Sequence, residues 1–382
     1  MSNSLRYYVA AAAATAGLIL FIQQRRRNPA CSVPSSVDYP EITSTVQTIR
    51  TPADRTIGYA TYGAPSSTAR TILFFHGLPG SRIIPVPSLG DLCTNNDVRI
   101  IALDRPGIGL TSPANANDST FDVSPEDVSH VLKSVEDLSP SSKLSVVGYS
   151  MGSPHALRYV LESPNMVESL HLIAPAGFFI PRPGVQGLGG RWDGVLDGYK
   201  LEDEVLTFPN WLSHTLVRHA TWIFATLWSF MSPTLVRGDE YVHSLVKSTS
   251  AEDRSRLDEE DMQLWATTTR ETFRLGVNGM VQAIGETFGK TAPDGWGWDV
   301  SKIKEVLWTR NIGTHIYAAR TDVLTPLSTV VELADIIGAD PRNFKLLDDE
   351  IGHLSLLKVA LEDILEQEED EDDEEEEEEE EL

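Results

Sequence analysis

A serine hydroxyl becomes a useful nucleophile only when a base stands within hydrogen-bond reach and an acid orients that base. Ser150 is the serine of this chain placed to be served in that way. It sits in Gly148-Tyr149-Ser150-Met151-Gly152, directly after the apolar run KLSVVGY and directly before the helix-like PHALRYVLES. The pentapeptide alone does not separate a nucleophile from an ordinary serine between two glycines. A strand, this turn and then a helix is the context that does. Gly148 and Gly152 leave room for a strained turn that lifts Oγ above the C-terminal edge of a sheet, where doubly wound folds place their ligands.

In this setting the acid and then the histidine are expected later in the chain. Nine histidines are present, and His353, in DDEIGHLSLL, falls on the loop after the final expected strand. The plain alternative is an incidental histidine, but its position and order favour a base. The run HIYAARTD delivers Asp322 at the C-terminal end of a strand, whereas the loop APAGFF after the preceding strand offers no carboxylate. Asp348, Asp349 and Glu350 are rivals by proximity to His353, though they share its short loop and read as solvated. A tetrahedral oxyanion needs fixed donors. The backbone N–H groups of Met151 and of Leu78, in HGLPGS, are the candidates, with His76 and Gly77 holding that loop's shape.

These residues require a sheet to carry them. STVQTIRT and TIGYATYG alternate as an opening antiparallel pair. RTILFFHGLPG (70–80) and VRIIALDRPGIG (98–109) read as buried parallel strands ending in Gly/Pro turns. Ser124-Pro125-Glu126-Asp127 opens a helix whose apolar face carries Val128, Val131, Leu132 and Val135. Alternation continues through SLHLIAPAG (169–177), stops from Phe178 to about Trp308, and resumes at GTHIYAARTD. The expected fold is α/β: a mostly parallel, doubly wound sheet with a large helical cap inserted between strands 6 and 7. All eight tryptophans fall in the interruption. They serve either as the cap's own core or as the lining of an apolar pocket between cap and sheet. The segments are then 44–177 and 309–365 for the core and 178–308 for the cap.

Net charge is −25, but residues 366–381 hold fifteen carboxylates and no base, leaving about −10 for the rest. Such a body excludes nucleic acid as a partner. Residues 366–382 read as a disordered, solvating tail. Two cysteines, Cys31 and Cys93, make no disulfide framework and no zinc spacing, which suits a reducing compartment. No metal or cofactor is expected. Tyr7 to Gln24 is uncharged and is followed by Arg25-Arg26-Arg27. As a helix it spans about 27 Å, enough for a thin bilayer. Residues 1–27 therefore read as a single-pass anchor, with 28–43 a linker and the body on the cytosolic side. The endoplasmic reticulum is favoured, and a mitochondrial presequence is the alternative.

FFHGLPGS, DRPGIGLTSP, VVGYSMGS and YAARTDVLTP followed by GHLSLL resemble the α/β-hydrolase fold superfamily, in particular its AB hydrolase-1 branch of lid-bearing esterases, lipases and peptidases. The likeness covers about residues 44–365. It implies a triad of Ser150, Asp322 and His353, and a structural role for Asp104 and Arg105. Relatives of the branch with Asp at the nucleophile position, the haloalkane dehalogenases and epoxide hydrolases, are disfavoured by Ser150. The expected function is hydrolysis of an ester through an acyl-enzyme intermediate, with a lipid or other apolar small-molecule acyl compound as substrate. Alternatives are a proline-iminopeptidase-like amide hydrolase, using Glu202, Asp203, Glu204 or Asp258–Asp261 to hold an ammonium, a non-catalytic ligand-binding member, and acyl transfer to an alcohol. Oligomeric state is not legible.

Overall fold

The computed structural model describes residues 44–113, 125–176, 250–283 and 301–366, apart from 53, 64–67, 136–137, 139–142, 276–278, 280–282, 323, 326 and 348–349. These residues lie in one unit, Thr43–Leu382. The expected anchor, linker and acidic tail, most of the expected cap, and the Ser124 cap of its helix lie outside them. No helix among the described residues is long and apolar enough to cross a membrane.

Chain order is β1 (Ser44–Arg50), β2 (Thr56–Tyr62), β3 (Arg70–Phe75), α1 (Leu89–Asn95), β4 (Val98–Leu103), α2 (Pro125–Ser134) and β5 (Leu144–Tyr149). A 3-10 turn (Ser150–Gly152) then leads into α3 (Ser153–Glu162) and β6 (Val167–Ile173). After these come α4 (Ala251–Arg256), α5 (Glu259–Thr272), α6 (Ser301–Thr309), β7 (Gly313–Ala319), α7 (Leu327–Ile337), β8 (Phe344–Leu347) and α8 (His353–Glu366).

The strands form one eight-stranded sheet in the order β1-β2-β4-β3-β5-β6-β7-β8. β1 and β2 pair antiparallel, as their alternation predicts, and β2 is antiparallel to β4. Every other pairing is parallel. β4 and β5 are buried at every residue because helices cover both faces, which is why they read as unbroken apolar runs.

The connections after β3 and β5 leave in opposite directions, so the crevice between these two strands is the topological switch point. Phe75 lies opposite Gly148 across it. α6, expected in the cap, buries Ile303 and Leu307 in the same cluster as Ile316 of β7 and Val331 of α7. α1 was not anticipated: LGDLCTN is only seven residues and has no side-chain cap.

Candidate active site

β5 ends at Tyr149 and the chain reverses at once. Ser150 sits at φ +50°, a left-handed conformation that costs an L-residue about 1–3 kcal/mol. The two flanking glycines are needed for close approach. A Cβ on Gly148 would lie 2.8 Å from Ser153 Cα, and one on Gly152 would lie 2.0 Å from the Phe75 carbonyl oxygen. The turn is thus pressed between α3 and the end of β3. Pro154 stands at the start of α3, where it removes an N–H that has no helical partner.

The structure brings the three predicted side chains together. His353 Nε2 is 3.1 Å from Ser150 Oγ, and His353 Nδ1 is 2.7 Å from Asp322 Oδ2. All three residues are buried. Asp322 also accepts from the backbone N–H of Leu324 (2.8 Å) and of Thr325 (3.1 Å), and from Thr325 Oγ1 (2.5 Å). Burial pushes its carboxyl upward, but the charge and hydrogen bond of His353 and the bonds from Thr325 outweigh that and hold it below the usual carboxylate range. An ionised carboxylate only accepts. Nδ1 of a neutral His353 therefore carries the proton, leaving Nε2 to accept from Ser150. Thr321 Oγ1 donates to the Ile351 carbonyl (2.8 Å) and ties the loop of the acid to that of the base.

Glu350 is 80% exposed at its side chain, as its reading as solvated predicts, while Asp348 and Asp349 lie outside the described residues.

The loop after β3 lies directly against the serine, since a Cβ on Gly77 would come within 2.9 Å of Ser150 Cβ. His76 is buried and holds this loop. Its Nδ1 lies 2.8 Å from the Gly77 carbonyl, and its Nε2 accepts from the Arg105 N–H at 3.4 Å. Burial, then the charge of Arg105, pushes it down to about 3, so it stays neutral. Leu78 is half-buried on this loop, and Met151 is buried directly after the serine.

Asp104 is a structural knot. It accepts from the Arg82 N–H (2.7 Å) and the Leu110 N–H (2.9 Å), and pairs with Arg82 Nη1 at 2.7 Å. Glu271 of α5 reaches the same Nη1 at 2.9 Å.

A model of the alpha/beta hydrolase fold matches residues 70–358, the span that carries all of these groups. This chain belongs to the α/β-hydrolase family.

The α/β-hydrolase is similar in fold to an esterase from Exiguobacterium antarcticum (17% identity, TM-score 0.52), covering 84% of this chain and 97% of that one. A thermophilic esterase from Thermogutta terrifontis gives 14% identity and a TM-score of 0.52, covering 84% of this chain and 95% of the other. A curated relative is the dihydrolipoyllysine-residue acetyltransferase component of the acetoin cleaving system of Cupriavidus necator. It is 29% identical over 120 residues, which are 31% of this chain and 29% of that protein. The α/β-hydrolase thus spans less than a third of that relative's length.

Sequence reasoning passed over several residues around the site. Tyr149 donates its hydroxyl to the His353 carbonyl (3.1 Å), and its ring lies 5.4 Å from that imidazole and 6.1 Å from Trp265 of α5. Burial, then the charges of Asp322 and Asp253, raises its phenol well above the ordinary value, so it remains a donor. Thr325 is a donor to Asp322. Its signal was the D-x-x-T spacing, which closes a local turn on the carboxylate.

α5 also grips the loop after β3, with Thr268 Oγ1 accepting from the Ser81 N–H (3.0 Å) and Thr272 Oγ1 donating to the Gly80 carbonyl (2.8 Å). The run Asp258–Asp261, offered as a candidate to hold an ammonium, is otherwise employed. Asp258 caps α5, and buried Asp261 pairs with Lys358 of α8 at 3.1 Å. Trp265 is buried and Trp308 is 86% exposed, while the other six tryptophans lie outside the described residues. Among the described residues, a 10 Å³ cavity behind the loop, beside Gly77, Tyr149 and Trp265, has room for no more than a water. An 830 Å³ groove lies at the opposite end of β7, beside Gly313 and Trp308, away from the triad.

Proposed function

We propose that this α/β-hydrolase cleaves an ester of an apolar acyl group through a covalent acyl-enzyme on Ser150, with His353 as base and Asp322 as its orienting acid. One observation carries the reading: a single buried imidazole is bonded to a hydroxyl on one nitrogen and to a carboxylate on the other.

Ser150 Oγ attacks the carbonyl carbon as its proton passes to His353 Nε2. The carbonyl electron pair moves to oxygen, where the N–H groups of Met151 and Leu78 receive it. Collapse breaks the bond to the alkoxide, which takes the proton from Nε2 and departs as the alcohol. Water then attacks the acyl-enzyme, giving its proton to Nε2. The second adduct collapses, Ser150 Oγ recovers that proton, and the carboxylic acid leaves. Asp322 stays ionised throughout and stabilises the transient imidazolium.

The two solved neighbours named above are esterases and share only the fold with this chain, which makes an ester the first substrate class to test. The apolar acyl group follows from the tryptophan-rich interruption. The amide alternative loses support from Asp258 and Asp261, which cap a helix and pair with a lysine. In the same reading the part of residues 178–308 that precedes α6 contributes a cap over the site, and residues 1–27 anchor the chain with its body facing the cytosol.

The test uses full-length protein and a fluorophosphonate probe, which forms an Oγ–P bond as its P–F bond breaks, releasing fluoride and a proton. Labelling of the parent and not of Ser150→Ala, with turnover of p-nitrophenyl esters rising from acetyl to longer acyl chains, supports the reading. A folded parent that neither labels nor turns over any of these esters overturns it in favour of a ligand-binding member.

A further inference from the structure

α8 begins at His353 itself, yet the residue before it is Gly352, which has no side chain to cap the helix. The first N–H groups of a helix need partners from elsewhere. Here the partner comes from 102 residues away: Asp253 Oδ1 accepts from the Ser355 N–H at 2.8 Å and from Ser355 Oγ at 2.7 Å. Ser355 Oγ in turn accepts from the Gly352 N–H at 3.0 Å. The carboxylate lies so close that a Cβ on Gly352 would meet Asp253 Cγ at 2.4 Å. Asp253 is buried, and Ser250 Oγ accepts from its backbone N–H at 3.0 Å, fixing α4 around it.

We propose that Asp253 is a positioning residue for the base: it caps α8 from the inserted segment and so holds His353 at its distance from Ser150. The inference rests on the triad reading given above. The chain before and after His353 is held by this carboxylate, directly at the Ser355 N–H and through Ser355 Oγ at the Gly352 N–H. The Tyr149 hydroxyl holds the carbonyl of His353. Without Asp253, the Ser355 N–H at the buried start of α8 loses its acceptor, and the first turn shifts to find another. A displacement of about 1 Å in a catalytic group can cost about a hundredfold in rate.

The experiment compares full-length parent, Asp253→Ala, Asp253→Asn, Ser355→Ala and Ser150→Ala by p-nitrophenyl butyrate turnover, fluorophosphonate labelling rate and thermal melting. Asp253→Ala should lower kcat and the labelling rate about 10- to 100-fold with KM within about threefold. Asparagine keeps an oxygen acceptor and should restore most of the rate. Ser355→Ala leaves its own N–H bonded to Asp253 and should fall between. Asp253→Ala with a lower Tm but parental kcat per folded molecule would make Asp253 merely structural and overturn the proposal, as would an asparagine variant as slow as alanine. Should Asp253→Ala not fold, the ordering of Ser355→Ala and Asp253→Asn decides in the same way. A parent that neither labels nor turns over would instead bring down the triad reading, on which this one depends.

Discussion

Ser150 holds a conformation that suits glycine better than serine, and the positive φ turns its Oγ toward His353. Removing the hydroxyl and removing the strain are therefore separable. Ser150→Ala keeps a Cβ in the left-handed region, while Ser150→Gly does not. Both should lose fluorophosphonate labelling, but the glycine variant should be the more stable of the two by about 1 kcal/mol, after allowing for glycine's greater freedom in the unfolded chain. Urea unfolding measures this, and equal stability would mean the turn stores no strain. The meeting of Ser150, Asp322 and His353 was legible in the sequence because each ends or follows a strand in a fixed chain order. Tyr149 and Asp253 were not. Their partners lie 204 and 102 residues away, and no local pattern marks a phenol that will meet a distant carbonyl or a carboxylate that will cap a distant helix.

At the scale of elements, the site depends on how tightly the turn after β5 sits against the end of β3. Gly152 has an ordinary helical backbone (φ −79°), so its requirement is space alone. An added Cβ would lie 2.0 Å from the Phe75 carbonyl oxygen and 2.8 Å from that of His76, and both are backbone atoms that cannot rotate away. Gly152→Ala should therefore cost about 3 kcal/mol or more, the upper range of overpacking in a rigid site. Gly313, at the start of β7, is the control, for there the nearest atom to an added Cβ is 3.6 Å away. Gly313→Ala should stay within about 0.5 kcal/mol of the parent. Urea midpoints for the two variants check the contrast, and a mild Gly152→Ala would show that the turn can withdraw from β3. The buried strands were readable as apolar runs closed by turn residues. α4 and α5 were not placed by the same reading, because what fixes them is polar: Thr268 and Thr272 on the loop after β3, Asp253 and Asp261 on α8. These bonds bind α4 and α5 to both sides of the site.

For the whole molecule, the net charge of −25 says little about acid stability, because Asp and Glu titrate mostly below pH 5. Buried histidines act sooner. His76 is pushed down to about 3 by burial and the charge of Arg105. His155 is held well below 6.5 by burial, then by Arg105 and His76, and His171 by burial, then by His315, Arg70 and Lys345. Each stays neutral in the folded chain, whereas in the unfolded chain each takes up a proton as pH falls through about 6.5. Unfolding then binds protons, so stability rises with pH in this window and is lost on acidification, by about 1.4 kcal/mol per pH unit for each histidine once well below 6.5. Three together approach about 4 kcal/mol per unit, a large part of the 5–15 kcal/mol typical of a domain. Asp322, with its lowered carboxyl, adds a further loss only below about pH 4, and the raised carboxyls of Asp104 and Glu362, both desolvated by burial, act in the opposite sense near their own range. Tm should therefore fall steeply between pH 6.5 and 5. His171→Leu removes one of the three titrating groups without touching the triad, so it should reduce that slope by about a third. A parent whose Tm is flat from pH 7.5 to 5, or a variant with the parent's slope, would mean that these rings find protons, or water, in the folded state.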